Sequence, residues 1–246
     1  MTCRESYTIE KHALLVFISL FLSPYDELFN IKQNFKMKKY MPLNGLRWSR
    51  DSGSTLCDTP QNGRSRTGWG GKLRLHQWKP FLITEIFTEI QRGKRLKKAD
   101  HTEGTVPYVS STALNNGVDG FIGNEGSIRI FDDCITIANS GSVGSAFFHQ
   151  YEFVASDHVT QLKRKGLDKY AYLFMLPIIN RLSEKYCFNR EINDKRIKRE
   201  RILLPVNNKG EIDFEFMSSF MQEVESDMLK NTLKAFKKRL NANENK

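Results

Sequence analysis

The sequence has few cysteines, no long hydrophobic run and little proline. Its four cysteines among 246 residues are scattered, with no C-x-x-C pair, so neither a zinc ribbon nor a disulfide framework is predicted. A reducing cytoplasm is the expected location. The longest apolar run, residues 13–22, is shorter than the ~18 residues needed to cross a bilayer. Because Glu5 and Glu10 precede it, we interpret this run as a buried strand or short helix rather than a leader.

Signatures of catalysis are also scarce. The chain contains no G-x-S-x-G, no kinase motif set and no P-loop, and its histidines lack metal-binding spacing. Asp132-Asp133 and Asp157-His158 could serve as acid/base pairs, but such pairs more often cap turns. The glycine-rich run 139–144 lacks a following Lys-Ser/Thr, so a hairpin turn is favoured over a phosphate loop. No catalytic residue, metal site or cofactor is predicted in this chain.

Positive charge is the feature that stands out. Lysine and arginine number 38 against 28 aspartates and glutamates, which gives a net charge of +10. This excess predicts an anionic partner, most commonly nucleic acid, with an acidic membrane surface as the rival. Basic runs at 92–98, 163–165 and 195–201 could neutralise phosphates. A single run is often only a solvated surface, but three of them favour nucleic acid.

The chain divides into three regions. Residues 1–77 are an unassigned N-terminal extension, partly a loop rich in Gly, Ser, Arg and Asn. Residues 78–212 show the mixed pattern of an α/β domain, in which short β-branched and aromatic runs alternate with turn signals. Residues 213–246 are predicted to form a long helix.

Local patterns within the second region predict individual elements. Runs of β-branched residues predict strands over 106–109 and 134–138. Apolar residues at helical spacing predict helices over 81–90 and 170–182, and a short basic helix is expected over 193–200.

The third region is predicted to be an amphipathic helix that begins after an N-cap at Asp213. Its apolar stripe starts at Met217 and ends at Leu240, and its charge runs from acidic to basic, as the helix dipole prefers. A helix of this length with one apolar stripe usually packs on another helix. That partner is expected in a second chain, although folding back on its own domain is the alternative.

The order of the motifs resembles the target-recognition domain of specificity subunits in type I restriction-modification systems, and of related type IIB enzymes. The resemblance covers about 78–240 and rests on a segment that begins at Trp78, then on CITIANSGSVGSAFFHQYEFVASDHV, YCFNREINDKRIKRERILLPV and the long helix. It implies an α+β fold, in which a target-recognition domain with a twisted, irregular β-sheet is followed by the long C-terminal helix.

The resemblance also implies a function. Such a chain binds duplex DNA sequence-specifically and reads one half of a bipartite target, while its helix pairs with that of a second recognition domain. Methylation, which needs S-adenosylmethionine, and cleavage are expected on partner methyltransferase and possibly endonuclease subunits. A full specificity subunit has two recognition domains, so this chain is expected to be either a half-subunit or a truncated reading frame.

The residues that contact DNA are expected in three segments, by motif position. Their side chains are positively charged, or are short donors and acceptors that suit phosphates and base edges. In the second segment, the Asn-Asn-Gly sequence could equally serve only to form a turn. The predicted contacts are Lys94, Arg95, Lys97 and Lys98; Ser110, Ser111, Asn115 and Asn116; and Arg190, Asn193, Lys195, Arg196 and Arg199.

Two other functions stay open at this stage. A standalone nuclease could hold Mg²⁺ with Asp132, Asp133 and Glu152. An RNA-binding or membrane-surface protein would also account for the net charge and the apolar run near the N-terminus.

Overall fold

A computed structural model describes residues 72–73 and 75–244 of the chain. The expectations for residues 1–71 therefore lie outside the described residues. No helix in the described part is both long enough and apolar enough to cross a bilayer.

The described residues form ten β-strands and four α-helices, with short 3₁₀ turns between them. The strands are β1 (Gln77–Leu82), β2 (Glu89–Arg92), β3 (Val106–Val109), β4 (Val118–Ile122), β5 (Ile130–Phe131), β6 (Cys134–Ala138), β7 (Ala146–His149), β8 (Phe153–Ala155), β9 (Val159–Lys163) and β10 (Arg201–Val206). The helices are α1 (Ile83–Ile86), α2 (Lys169–Asn180), α3 (Asp194–Arg199) and α4 (Phe214–Glu244).

The strands are divided among three sheets. β1 and β10 form a two-stranded antiparallel sheet. The second sheet has the order β2-β9-β6-β7 and is antiparallel throughout. The third has the order β4-β3-β8-β5, in which β3 and β8 are parallel. The predicted α+β class is confirmed, with the predicted sheet distributed over these three.

The largest core joins the second sheet to the helices. Side chains of β6 and β9 pack with α1, α2, α3 and the start of α4, and Tyr172 and Phe174 of α2 are fully buried. A smaller core lies between the second and third sheets, where Cys134 of β6 packs near Phe153 of β8. Strand β6 is buried along its whole length, because both of its faces are covered in this way.

The predicted elements are largely confirmed, with one correction. The strands predicted over 106–109 and 134–138 are present, and so is the basic helix, α3. The helix predicted over 81–90 is wrong, because only Ile83–Ile86 is helical and the flanking residues form the ends of β1 and β2. Those residues pair with β10 and β9, which lie far away along the chain.

Helix α4 begins where the sequence predicts. The carboxylate of Asp213 accepts a hydrogen bond from the backbone N–H of Phe216 at 2.9 Å, which is the geometry of an N-cap. Met217 and Phe220 in its first turns are buried in the main core. Further along, Leu229, Leu233 and Phe236 are exposed, with Leu233 at 57%. Among the described residues, the helix therefore packs on its own domain through its first half, as far as Glu225.

Buried His149 should make the stability of the fold depend on pH. Its ring nitrogens lie 2.9 Å from the Thr136 hydroxyl and 3.1 Å from that of Tyr151, and burial lowers the imidazole pKa from 6.5 to about 3. Below pH 6.5 the unfolded chain binds a proton that the folded chain does not, so stability falls with falling pH. We expect this histidine to cost about 2 kcal/mol of unfolding free energy between pH 7 and pH 5.

Urea unfolding of the wild type and of His149→Gln at both pH values would measure that loss. Glutamine cannot be protonated, so the pH-dependent loss should shrink by about 2 kcal/mol in the variant. If both proteins lost the same unfolding free energy between the two pH values, His149 would not be the source of the pH dependence.

Candidate nucleic-acid interface

Connections from two sheets meet at one edge of the domain, which we call the loop edge (residues 93–97, 110–117, 139–145 and 156–158). In the second sheet, β2 and β6 end where β9 begins, and β7 also starts there. In the third sheet, the parallel strands β3 and β8 end side by side and β4 starts beside them. The turn 156–158 links β8 to β9. The pairing of the strands is therefore sufficient to bring these connections together at the loop edge.

Backbone hydrogen bonds join these connections to one another. The N–H of Asn139 donates to the carbonyl of His158 at 2.8 Å, and that of Ser142 donates to the carbonyl of Ser111 at 3.0 Å. The carbonyl of Asn139 accepts from the N–H of Ile192 at 3.0 Å. The hairpin turn between β6 and β7 thus contacts two of the three predicted DNA-contacting segments.

The remaining predicted segment, which follows β2, is attached at the same place. The N–H groups of Gly93 and Lys94 donate to the carbonyls of Val159 (2.9 Å) and Ala155 (3.1 Å). Leu96 packs on the outer face of the third sheet. The exposed side chains of Lys94 and Arg95 are consequently held at the loop edge.

Lys98 lies farther from this edge than its neighbours in sequence. It begins a 3₁₀ turn, Lys98–Asp100, whose last carbonyl accepts from the Asn124 side chain at 2.8 Å. Asn124 follows β4, at the opposite end of the third sheet. The loop from Lys94 to Lys98 therefore runs along the sheet rather than staying at one point.

The loop between β3 and β4 is built around its Asn-Asn-Gly sequence. Asn115, Asn116 and Gly117 all have positive φ, at 48°, 54° and 82°. Asparagine and glycine adopt this left-handed conformation most readily. The turn-forming role left open by the sequence is therefore confirmed, and DNA contact by these asparagines stays a prediction.

Helix α3 approaches the loop edge with its first turn. Asn193 caps it by accepting from the N–H of Arg196 at 2.9 Å, and Asp194 lies 3.7 Å from Nε of Arg92 at the end of β2. Buried Ile197 anchors the helix in the main core. Arg199 is in the last turn, away from the contact with Arg92.

All predicted contact residues are accessible in the described structure, because none of them is buried. The first residues of the segments after β2 and at the start of α3, and the hydrogen-bonded loop after β3, lie close to one another at the loop edge. Lys98 and Arg199 lie at the ends of their segments that are farther from it. Contact with DNA by any of these side chains is not decided by this arrangement.

Sequence reasoning missed three side chains at the centre of the loop edge. His158 is exposed, and its Nδ1 lies 2.6 Å from Oγ of Ser140. Asp157 has a carboxylate oxygen 4.0 Å from Nε2 of the same imidazole. The sequence shows Asp157-His158 only as a possible acid/base pair, and nothing in it places Ser140 beside His158.

The sequence matches one known protein family over most of the described residues. The sequence model described as "Type I restriction modification DNA specificity domain" matches residues 76–235. The chain belongs to that family. The match spans most of the described residues, from the start of β1 into the exposed half of α4.

Known specificity subunits are similar to this specificity-domain chain over much of its length. The "Type II restriction enzyme BgcI specificity subunit S.BcgI" of Heyndrickxia coagulans is 36% identical over 219 residues, which are 88% of this chain and 54% of that protein. The chain therefore spans about half the length of that relative.

Solved structures resemble it in fold. A structure described as showing complex assembly and conformational transition of the type I R-M system matches with a TM-score of 0.50 and 12% identity, over 72% of this chain and 47% of the other. The S subunit of a type I system from M. genitalium matches with a TM-score of 0.48 and 17% identity, over 71% and 44%.

The basic run 163–165 of this specificity domain lies away from the loop edge. Lys163 ends β9 at the sheet end opposite the loop edge, where it forms an ion pair with Asp132 at 2.6 Å. The guanidinium of Arg164 donates to the carbonyls of Glu85 and Ile86. The structure therefore places the basic run 163–165 away from the predicted DNA-contacting segments.

The acidic residues of the nuclease alternative do not form a metal site in the described part of the specificity domain. No group of three or more His, Cys, Asp or Glu side chains with suitable spacing occurs among the described residues. Asp132 is occupied by Lys163, and burial raises the pKa of the Asp133 carboxyl.

Proposed function

We propose that the chain is a specificity or half-specificity subunit that binds duplex DNA sequence-specifically and directs partner subunits to its target. The observation that carries this proposal is the convergence of three separate polar and basic segments on one edge. Two of the segments are hydrogen-bonded to the β6–β7 turn, and the segment after β2 is hydrogen-bonded to Val159 and Ala155. These bonds give the segments a fixed arrangement, which is what recognition of a defined base sequence requires.

The charges on that edge suit a polyanion. Two of the segments carry exposed cations: Lys94 and Arg95 follow β2, and Arg190, Lys195 and Arg196 lie around the start of α3. Phosphate contacts from such side chains supply most of the affinity for DNA, and contacts to base edges supply the specificity. Short polar side chains between the cations, such as Ser111, suit the second task.

Catalysis is assigned to partner subunits. A methyltransferase subunit would bind S-adenosylmethionine and methylate the target, and an endonuclease subunit would cut it; no cofactor is proposed for this chain. Family membership and likeness to a specificity subunit support this division of tasks. A cytoplasmic location is part of the same proposal.

The exposed half of α4 is proposed to pair with the corresponding helix of a second recognition domain. Leu229, Leu233 and Phe236 follow one another at spacings of four and three residues, so they form one apolar stripe on the helix. Pairing two such helices would bury the stripes and hold two recognition domains at a fixed separation.

Leu233→Glu with Phe236→Glu should abolish that pairing. Each apolar side chain contributes about 1.5–3 kcal/mol when it is buried. We therefore expect each substitution to raise the dissociation constant of the dimer by about 10-fold or more. Sedimentation of the full chain measures this, with Lys234→Glu on the neighbouring surface as the matched control. A wild type that stays monomeric, or a control that disrupts equally, would refute helix pairing.

The function itself is tested by deleting the gene and mapping modified adenines across the genome. We expect one bipartite methylated sequence to disappear and to return when the gene is restored. Unchanged methylation would refute the proposal. Retention of the purified chain on RNA or on anionic vesicles, but not on duplex DNA, would instead support the alternatives suggested by its charge.

A further inference from the structure

The turn 156–158 occupies the centre of the loop edge. The N–H of Ser156 donates to the carbonyl of Val109, before the Ser-rich loop, and the carbonyl of His158 accepts from Asn139 in the β6–β7 turn. The preceding residue, Ala155, accepts from Lys94. One short turn is therefore bonded to three of the connections that make up the edge. Residues at the centre of an interface commonly carry most of its energy.

The imidazole of His158 is held in one orientation although it is exposed. Its side chain is 54% accessible, while Ser140, whose Oγ lies 2.6 Å from Nδ1, is only 8% accessible. A buried hydroxyl is a fixed partner. When this hydroxyl donates to Nδ1, the ring proton resides on Nε2 and makes that atom a hydrogen-bond donor on the surface.

Asp157 places an acceptor beside that donor. Its carboxylate oxygen is 4.0 Å from Nε2 of His158, which is too far for a hydrogen bond between them. The negative charge opposes the approach of a backbone phosphate to this point. A donor and an acceptor side by side suit the edge of a base pair better than a phosphate.

We propose that His158 and Asp157 read one G·C base pair in the major groove, with Ser140 as a positioning residue. In that groove guanine presents the acceptors N7 and O6, and the amino group at N4 of cytosine is the adjacent donor. Nε2 of His158 would donate to guanine, and the Asp157 carboxylate would accept from cytosine. This inference rests on the proposed function and adds a base preference to it.

The test uses the full chain assembled with its cognate methyltransferase subunit. Sites methylated in a library of duplexes with randomised target positions would be sequenced for the wild type, His158→Ala, Asp157→Asn and Ser140→Ala. At one G·C position of the target we expect discrimination against other pairs to fall by about 5- to 150-fold in His158→Ala. Asp157→Asn should relax the same position, because an amide can donate as well as accept.

Ser140→Ala should relax that position too, and combining it with His158→Ala should add little further effect, since both act through one imidazole. A residue needed only for folding would lower methylation at every sequence and leave the preference unchanged. Lys94→Ala is the matched control, because loss of a phosphate contact weakens all sequences uniformly.

Three outcomes decide the matter. An unchanged sequence preference in His158→Ala, or relaxation at an A·T position, would overturn this inference while leaving the proposed function intact. Uniform weakening at all sequences would assign His158 to a phosphate and would also overturn it. A wild-type complex that methylates no defined sequence would refute the proposed function instead.

Discussion

Replacing Lys94 and Arg95 with alanine should weaken binding to every duplex sequence and make that binding less dependent on salt. Both side chains are exposed on a loop whose backbone is fixed to Val159 and Ala155 at the loop edge. The slope of log K against log salt is negative, and each lost phosphate contact reduces its magnitude by roughly 0.9. The slope of the double variant should therefore be shallower by about 1.8. Binding of the assembled complex to duplex DNA over a range of salt concentrations measures this slope.

Lys165→Ala provides the matched control, because Lys165 is also exposed but follows β9 at the opposite end of the second sheet. Its slope should equal that of the wild type. Lys98→Ala should have a smaller effect than Lys94→Ala, because the turn at Lys98 is bonded to Asn124 at the far end of the third sheet. Equal effects from Lys94 and Lys165 would exclude the loop edge as the phosphate-binding surface.

Gly93→Ala should destabilise the domain and displace the cationic loop. A methyl group at residue 93 would lie 2.2 Å from the carbonyl oxygens of both Ala155 and Ser156, which are backbone atoms that cannot rotate away. Overpacking of this kind costs typically about 1–3 kcal/mol, and we expect a value at the upper end. The unfolding free energy in urea, together with DNA affinity, would show both consequences.

Gly126→Ala is the corresponding control, since a methyl group there would meet nothing within 4 Å. It should leave the unfolding free energy within about 0.5 kcal/mol of the wild type, as is usual for surface substitutions. If Gly93→Ala were equally harmless, the close approach of β2 to the turn after β8 would not be a constraint on this edge.

Local sequence signals were sufficient wherever an element depends on its own residues. The β-branched run of β6, the short basic helix α3 and the Asp213 cap of α4 all lie where the sequence predicts them. The pattern over 81–90 failed because its spacing fits a helix, whereas its ends are paired with strands more than 70 residues away in sequence. Such distant pairings overrule local propensity.

The same distinction holds for the candidate site. Sequence identified the polar and basic segments, because charge and turn chemistry are local properties. It could not separate the run at 163–165 from the others, since antiparallel pairing of β9 carries that run to the opposite end of the sheet. It also could not show that Ser140 meets His158, because the two residues lie in different connections.

The amino-acid sequence by itself determined that this protein is a basic α+β domain with a long amphipathic helix and three segments suited to DNA. The tertiary structure alone decided which of those segments share an edge, which basic run lies at the opposite end of the second sheet, and which half of the helix stays exposed. The physical reason is that charge, capping and periodicity act between residues close in sequence. Convergence at the loop edge instead depends on hydrogen bonds and burial between strands that are brought together only by folding.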